Sequence, residues 1–520
     1  MSSSYSSILT IACVLLTSHF NITYSARILG VVITPCKSHL IVHTAILSAL
    51  AERGHNITVL TTIPLVTENT HFRHIQLETR NVRPGFYTKL INERPPWYVK
   101  MYENIQEATN YSNYSFNTPK MKKLMDEESF DLIIFGYLFN EFLLGLQAHF
   151  QCPVIISLPV RPLGSINGLV GNPPEVSYVP SLLSGDKQPL GFVERVRNFM
   201  YINILEELML TYFYQWYQSD VYKSIFPPDK YPSLDEVKKN VSLILTNHHF
   251  SQTPIRPNVP AMVEIGGIQI KEKPNPLPED IKSILDSSTK HGVVYFSLGT
   301  NVQGSFLNSS KVKIIFDVLS KLPQTVLWKW SDSEVPPGIS PNIFYKSWLP
   351  QDDILAHKNV KLFVTHGGQG SVVESQHHGV PMVGIPLFSD QSSNMENVAK
   401  QGFGLSVDYQ FLTEIDFNNA VQEVLSNKIY TENVRRFAEI YKDRPMTAKD
   451  TAVFWVEYVL RHHGAPHMQS PAVYLNNFQL LSLDVIGFLL AVVYISFRII
   501  KVMFSLILGL FWEKKKVKNV

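Results

Sequence analysis

The chain has 520 residues, enough for two ordinary domains and some additional segments. Its 46 Lys and Arg nearly balance 44 Asp and Glu, so no strong field directs it to nucleic acid. Three cysteines (Cys13, Cys36 and Cys152) exclude a disulfide framework, and no His/Cys group has metal-ligand spacing.

Residues 1–25 read as a secretory leader, with Ile8 to Thr17 as the apolar core and small residues near Ser25 and Ala26 suited to cleavage. Arg27 to Ile33 is a continuous apolar run, as a strand covered on both faces requires. His39 to Arg53 carries apolar residues at helical spacing, Gly54 ends it, and Ile57 to Thr61 is the next strand. A βαβ start predicts a parallel, doubly wound sheet. His39 sits at the end of the first loop, where such sheets open their ligand crevice. A neutral imidazole titrates near working pH and can take a hydroxyl proton. His43, one turn later, reads as a helix-face residue.

Residues 65–125 have weak periodicity and many aromatics, among them Phe86, Tyr87, Tyr102 and Phe116. Phe130 to Gly136 reads as a strand, Asn140 to Phe150 as a helix and Val154 to Leu158 as a strand. A long insertion follows over 160–235, with one helix from Phe192 to Tyr222 that packs as a lid or lies against a membrane surface. Val241 to Thr246 is a further strand, and Arg256-Pro257 precedes Ile265-Gly266-Gly267. The stretch KEKPNPLP, Lys271 to Pro278, cannot form a helix or central strand. It divides a domain at 26–268 from one at 279–465, with the linker at 269–278.

The second domain repeats the alternation. Val293 to Leu298 runs into Gly299-Thr300, and strands follow at Val326 to Trp330 and Phe344 to Ser347. The densest stretch is Trp348 to Gln391. Val360 to Thr365 reads as a buried strand, followed by His366-Gly367-Gly368 and a helix from Gln369 to His378. Free N–H groups at that helix start, with the helix dipole, favour a phosphate. Glycine permits the turn and close approach of a ligand. Ser371 adds a hydroxyl there, and Glu374, one turn on, can accept from ribose hydroxyls. Asp390-Gln391 suits sugar hydroxyls, and Trp348 offers a flat face to a base.

Near the C-terminus, 484–510 is long and apolar enough to cross a membrane if Arg498 and Lys501 snorkel. The basic tail at 511–520 then lies in the cytosol by the positive-inside rule, giving a single-pass type I protein with a lumenal bulk. Lys516 and Lys518 resemble a dilysine signal for endoplasmic reticulum retrieval. Asn56, Asn110, Asn113, Asn240 and Asn308 begin acceptor sequons for glycosylation, compatible with a lumenal chain.

Trp348, Gln351, His366-Gly367-Gly368, Ser371, Glu374 and Asp390-Gln391 resemble, in order and spacing, the donor-binding signature of the UDP-glycosyltransferases. The resemblance implies an α/β fold of GT-B type: two facing doubly wound Rossmann-like domains plus a C-terminal transmembrane helix. It implies that Trp348 stacks on uracil and Gln351 contacts the uridine. His366 and Ser371, with Gly367 and Gly368 at the turn, would meet the phosphates, Glu374 the ribose, and Asp390 and Gln391 the sugar. Thr300 resembles the family's phosphate-side hydroxyl, and Arg256 is a second candidate for the diphosphate or sugar. Ser38-His39 matches the family's catalytic histidine. The implied reaction is inverting, metal-free and without a cofactor: a hexose passes from a UDP-sugar, UDP-glucose favoured, to a hydroxyl of a small lipophilic acceptor. The other expected partner is the membrane, and a homo-oligomer is compatible with the reading.

One departure from the family stands out. The acid that pairs with the catalytic histidine falls at Gly136 in this chain, and Glu141 is the nearest acid downstream. Either Glu141 or a water replaces it, the acceptor is already acidic, or activity is reduced. Two further readings follow: a protein that binds UDP-sugars or lipophiles without turnover, and an epimerase of the same fold.

Overall fold

The computed structural model describes residues 25–517 apart from 66–68, 84, 94, 163, 174, 182–187, 207–213, 253 and 332–333. Residues 1–24 of the leader, and Lys518, lie outside the described residues.

Seven strands build the first lobe: β1 (Arg27–Val32), β2 (Asn56–Thr61), β3 (Phe72–Gln76), β4 (Leu132–Gly136), β5 (Val154–Leu158), β6 (Val241–Thr246) and β7 (Met262–Glu264). They lie parallel in the order β3-β2-β1-β4-β5-β6-β7. Six strands build the second: β8 (Val293–Ser297), β9 (Thr325–Lys329), β10 (Ile343–Lys346), β11 (Val360–Thr365), β12 (Met382–Gly384) and β13 (Gly404–Ser406). Their order is β10-β9-β8-β11-β12-β13, again parallel. Each sheet is covered by helices on both faces, which is why β4, β5, β6 and β8 are buried along their whole length. The helix Lys37–Glu52 lies so close over β1 that a Cβ on Gly30 would stand 2.5 Å from Leu47.

Both sheets are doubly wound about one point. In the first, strand order reverses between β1 and β4; in the second, between β8 and β11. Loops leaving paired strand ends on either side of such a point diverge, and a crevice opens between them. The loop to His39 and the turn at Gly136 flank the first crevice; Gly299-Thr300 and His366-Gly367-Gly368 flank the second.

Several elements differ from the sequence expectation. Asn140 to Phe150 is not one helix: a tight turn at Glu141–Leu144 gives way to a helix at Gly145–Phe150. The joint is Gly145, where a Cβ would stand 2.4 Å from the Phe226 ring. Over the span expected as one helix, Phe192 to Tyr222, the chain is α-helical at Phe192–Met200, continues as a wider helical coil at Tyr201–Glu206, and is α-helical again at Gln215–Ile225, with 207–213 outside the described residues. Phe192, Val193, Val196 and Phe199 of its first piece are exposed, so the apolar run does not report burial there. Strand β3 (FRHIQ) escaped notice because it is a half-exposed edge with a polar sequence. Helices at Phe86–Asn92, Trp97–Phe116 and Pro119–Glu127 fill the weakly periodic region.

The chain crosses back at its end. The helix Ala448–Arg461 contributes Ala452, Val453, Val456 and Val459 to the first lobe's core. After it, Leu483–Val517 is one helix whose stretch Leu483–Gly509 is long and apolar enough to cross a membrane.

Candidate active site

One cavity of about 1290 Å³ lies between the lobes, lined by residues of both. It holds His39 from the first lobe. From the second it holds Thr300, Trp348, Gln351, His366, Gly368, Ser371, Glu374, Asp390 and Gln391. Gly367 is the left-handed turn residue beside it (φ +79°), where a Cβ would also strike Met395 at 2.4 Å.

The phosphate-favouring corner is built by exclusion of side chains. The His366 ring lies between Gly299 and Gly368, where added Cβ atoms would approach it to 2.7 and 2.4 Å. Burial, with Lys329 nearby, lowers the His366 pKa to about 4, so the ring is neutral at physiological pH. It can therefore supply an N–H but no charge. The cation here is Lys329, which donates to Gly299 O at 2.6 Å. Burial and Lys37 depress its pKa to about 8, leaving it mostly protonated at neutral pH. His366 Nδ1 is buried without a hydrogen-bond partner among the described residues.

A small network holds the next turn of the signature helix. Gln351 Nε2 donates to Ser371 Oγ (3.0 Å) and to Glu374 (2.7 Å), and Tyr295 donates to Gln351 Oε1 (3.2 Å). Burial raises the Glu374 pKa to about 8. The carboxyl is thus largely protonated at neutral pH and can both give and take a hydrogen bond.

Asp390 immediately precedes the helix Gln391–Lys400 and accepts from Asn394 Nδ2 at 2.8 Å, while Asn394 also donates to Gly367 O at 3.0 Å. Burial raises the Asp390 pKa. Gln391 turns its carbonyl to the backbone N–H groups of Leu387 (2.8 Å) and Phe388 (3.0 Å), so it braces the loop as well as lining the cavity. Trp348 is half-exposed, and the Lys37 ammonium of the opposite lobe stands 3.7 Å from its ring centroid. Such a contact contributes about 0.5–2 kcal/mol.

His39 lies in the first turn of the helix Lys37–Glu52. Burial lowers its pKa to about 4, and its Nδ1 is buried without a partner among the described residues. Gly136 leaves no carboxylate on the neighbouring strand end. Its side-chain space is taken by the His43 ring, 3.0 Å from where a Cβ would stand. His43 is therefore a buried residue, not a helix-face one, with Nδ1 2.7 Å from Ser157 Oγ.

Two sequence candidates lie elsewhere. Glu141 is buried in an ion pair with Lys238 (2.5 Å), takes a long contact from the Tyr137 hydroxyl (3.4 Å), and does not line the cavity. The tight turn after Asn140 carries it into the lobe interior. Arg256 lies against Pro162 O (3.5 Å), also outside the lining. Sequence reading missed Lys37, Lys329 and Arg161, whose Nη2 reaches Ser393 at 3.2 Å from across the cleft. Lys37 adjoins Ser38-His39, and that adjacency was the one available signal.

Paired doubly wound lobes, with a phosphate-favouring turn on one and an imidazole on the other, define a GT-B glycosyltransferase acting on a nucleotide-sugar. The solved glycosyltransferase of kitacinnamycin has this fold: TM-score 0.56 at 16% identity, covering 84% of this chain and 99% of that one. The family model "UDP-glucoronosyl and UDP-glucosyl transferase" matches residues 28–518, and the chain belongs to that family. It is 32% identical to UDP-glucosyltransferase 2 of Dactylopius coccus, covering 92% of each chain. To UDP-glucuronosyltransferase 2B15 of Rattus norvegicus it is 33% identical, covering 93% of this chain and 94% of the relative. It is an enzyme that transfers sugar from a UDP-sugar.

Proposed function

We propose that the protein transfers a hexose, with UDP-glucose the favoured donor, to a hydroxyl of a small lipophilic acceptor with inversion at the anomeric carbon. One observation carries this reading: the cavity that receives the signature residues of the second lobe is also lined by His39 of the first. Uracil stacks on Trp348, the ribose meets Glu374, and the diphosphate lies at the start of the helix Gln369–His378. Free backbone N–H groups there, with the His366 N–H and Lys329, offset the charge that grows on the leaving UDP. The mechanism invokes no metal or cofactor. Asp390 and Gln391 receive sugar hydroxyls; an acidic group at this place supports a neutral hexose over a hexuronate. His39 accepts the acceptor's proton as its oxygen attacks. Phe86, Leu90, Met101 and Ala108 supply apolar wall around that end, which supports a lipophilic acceptor.

The reading places the enzyme in the endoplasmic reticulum membrane as a single-pass type I protein. Its support is the apolar span Leu483–Gly509 followed by Lys514, Lys515 and Lys516.

The test is UDP release by membranes carrying the full chain, given a panel of UDP-sugars and phenols. UDP-glucose should give the fastest release, and His39→Ala should lower it ~10²- to 10⁴-fold with a simple phenol. Equal release from UDP-glucuronate would remove the donor assignment.

A further inference from the structure

Resting on the transfer reading above, we propose that Gly136 confines this enzyme to acceptors whose hydroxyl is itself acidic, phenols and carboxylic acids, and excludes aliphatic alcohols.

A base that takes a proton becomes a cation, and in a buried site that cation needs an anion beside it. Among the described residues none is supplied: burial alone sets the shift of the His39 ring. His39 Nδ1 is buried and unpartnered among the described residues. The neighbouring strand ends in Gly136, and the space over it is closed by His43, so a carboxylate-bearing ligand cannot enter there either. The titratable groups around His39 do not fill the gap. His43, on the same helix with its ring 6.4 Å away, is held neutral by burial. Cys36, at the helix cap, and Tyr137, just past Gly136, line the cavity, but burial raises both pKa values and keeps them uncharged. Glu141 is committed to Lys238 inside the lobe.

A weak, unpaired base can complete only a transfer that asks little of it. A phenol with pKa about 10, or a carboxylic acid with pKa about 4, loses its proton far more easily than an alkyl alcohol. In the reaction the acceptor oxygen bonds to the anomeric carbon as the bond to the diphosphate oxygen breaks. UDP leaves with the electron pair. The proton goes to His39 from a phenol, or has already gone to solvent from a carboxylic acid.

The experiment uses the full chain in membranes with whichever UDP-sugar turns over. Acceptors are phenols of graded acidity, an aryl carboxylic acid, and cyclohexanols matched to the phenols in shape. kcat/KM should rise with phenol acidity, and the alcohols should fall at least ~100-fold below the matching phenol. His39→Ala should cost the least acidic phenol most and the carboxylic acid only a few-fold. A second variant restores the missing group: Gly136→Asp with His43→Leu to clear its space, expected to raise alcohol turnover at least ten-fold. Alcohols turned over within ten-fold of their phenols by the unmodified chain would overturn the proposal. So would a double variant that binds UDP normally yet gains nothing on alcohols. UDP release with no acceptor at all would instead remove the transfer reading on which the proposal rests.

Discussion

Glu374 makes the site's chemistry visible in stability. Its pKa is 4.5 in the unfolded chain and about 8 when folded. Between those values the folded state holds the extra proton, so the residue's contribution to stability is full below pH 4.5 and is lost as pH rises to about 8. Glu374→Gln lacks that loss. Its melting temperature should therefore gain on the wild type steadily from pH 5 to 8.5, and a constant difference across that range would contradict the burial argument. Trp348→Ala should weaken UDP binding ~2- to 10-fold in a calorimetric titration, the worth of one aromatic stack. At this scale the sequence was unevenly legible. His366, Ser371 and Glu374 were found because their spacing follows one helix from one glycine turn. Lys37, Lys329 and Arg161 were not, because each reaches the cavity from a different loop or strand end, and only the folded sheets bring those together.

Elements were read best where burial is two-sided. Strands β1, β5, β6 and β11 are mostly apolar and buried and announce themselves; β3, a polar edge, and β7, three residues long, do not. The crossover helix Ala448–Arg461 has its own consequence. Val456 is fully buried in the core of a lobe formed some two hundred residues earlier in the chain. Val456→Asp places an unpaired charge there and should lower unfolding free energy by about 3–5 kcal/mol. Urea denaturation would measure it, and a variant as stable as the wild type would mean the helix is not integral to that lobe. The insertion was less legible for the opposite reason. Its apolar residues at Phe192, Val193, Val196 and Phe199 face outward, so an apolar pattern stood for exposed surface and not for core.

The two lobes are joined by more than the linker. Ile91 of the first lobe is buried in the second lobe's core, and Tyr87 packs against Phe306 and Phe388 across the cleft. Gln252 meets Gln376 at 2.9 Å, and Arg444 donates to Gly266 O at 2.7 Å. None of these ties involves the helix Leu483–Val517, whose described side chains are exposed from Leu483 to Gly509. A chain ending at Leu481 should thus leave the membrane on alkaline extraction and keep its UDP affinity within two-fold. The contact between Lys37 and Trp348 reaches further. Lys37 holds its ammonium over the indole face, so a pyrimidine that stacks on that face, as proposed above, would have to displace it. Affinity measured on the native chain would then understate what the bare indole can offer, by ~2- to 30-fold on the strength of such contacts. Lys37→Met would clear that face in advance.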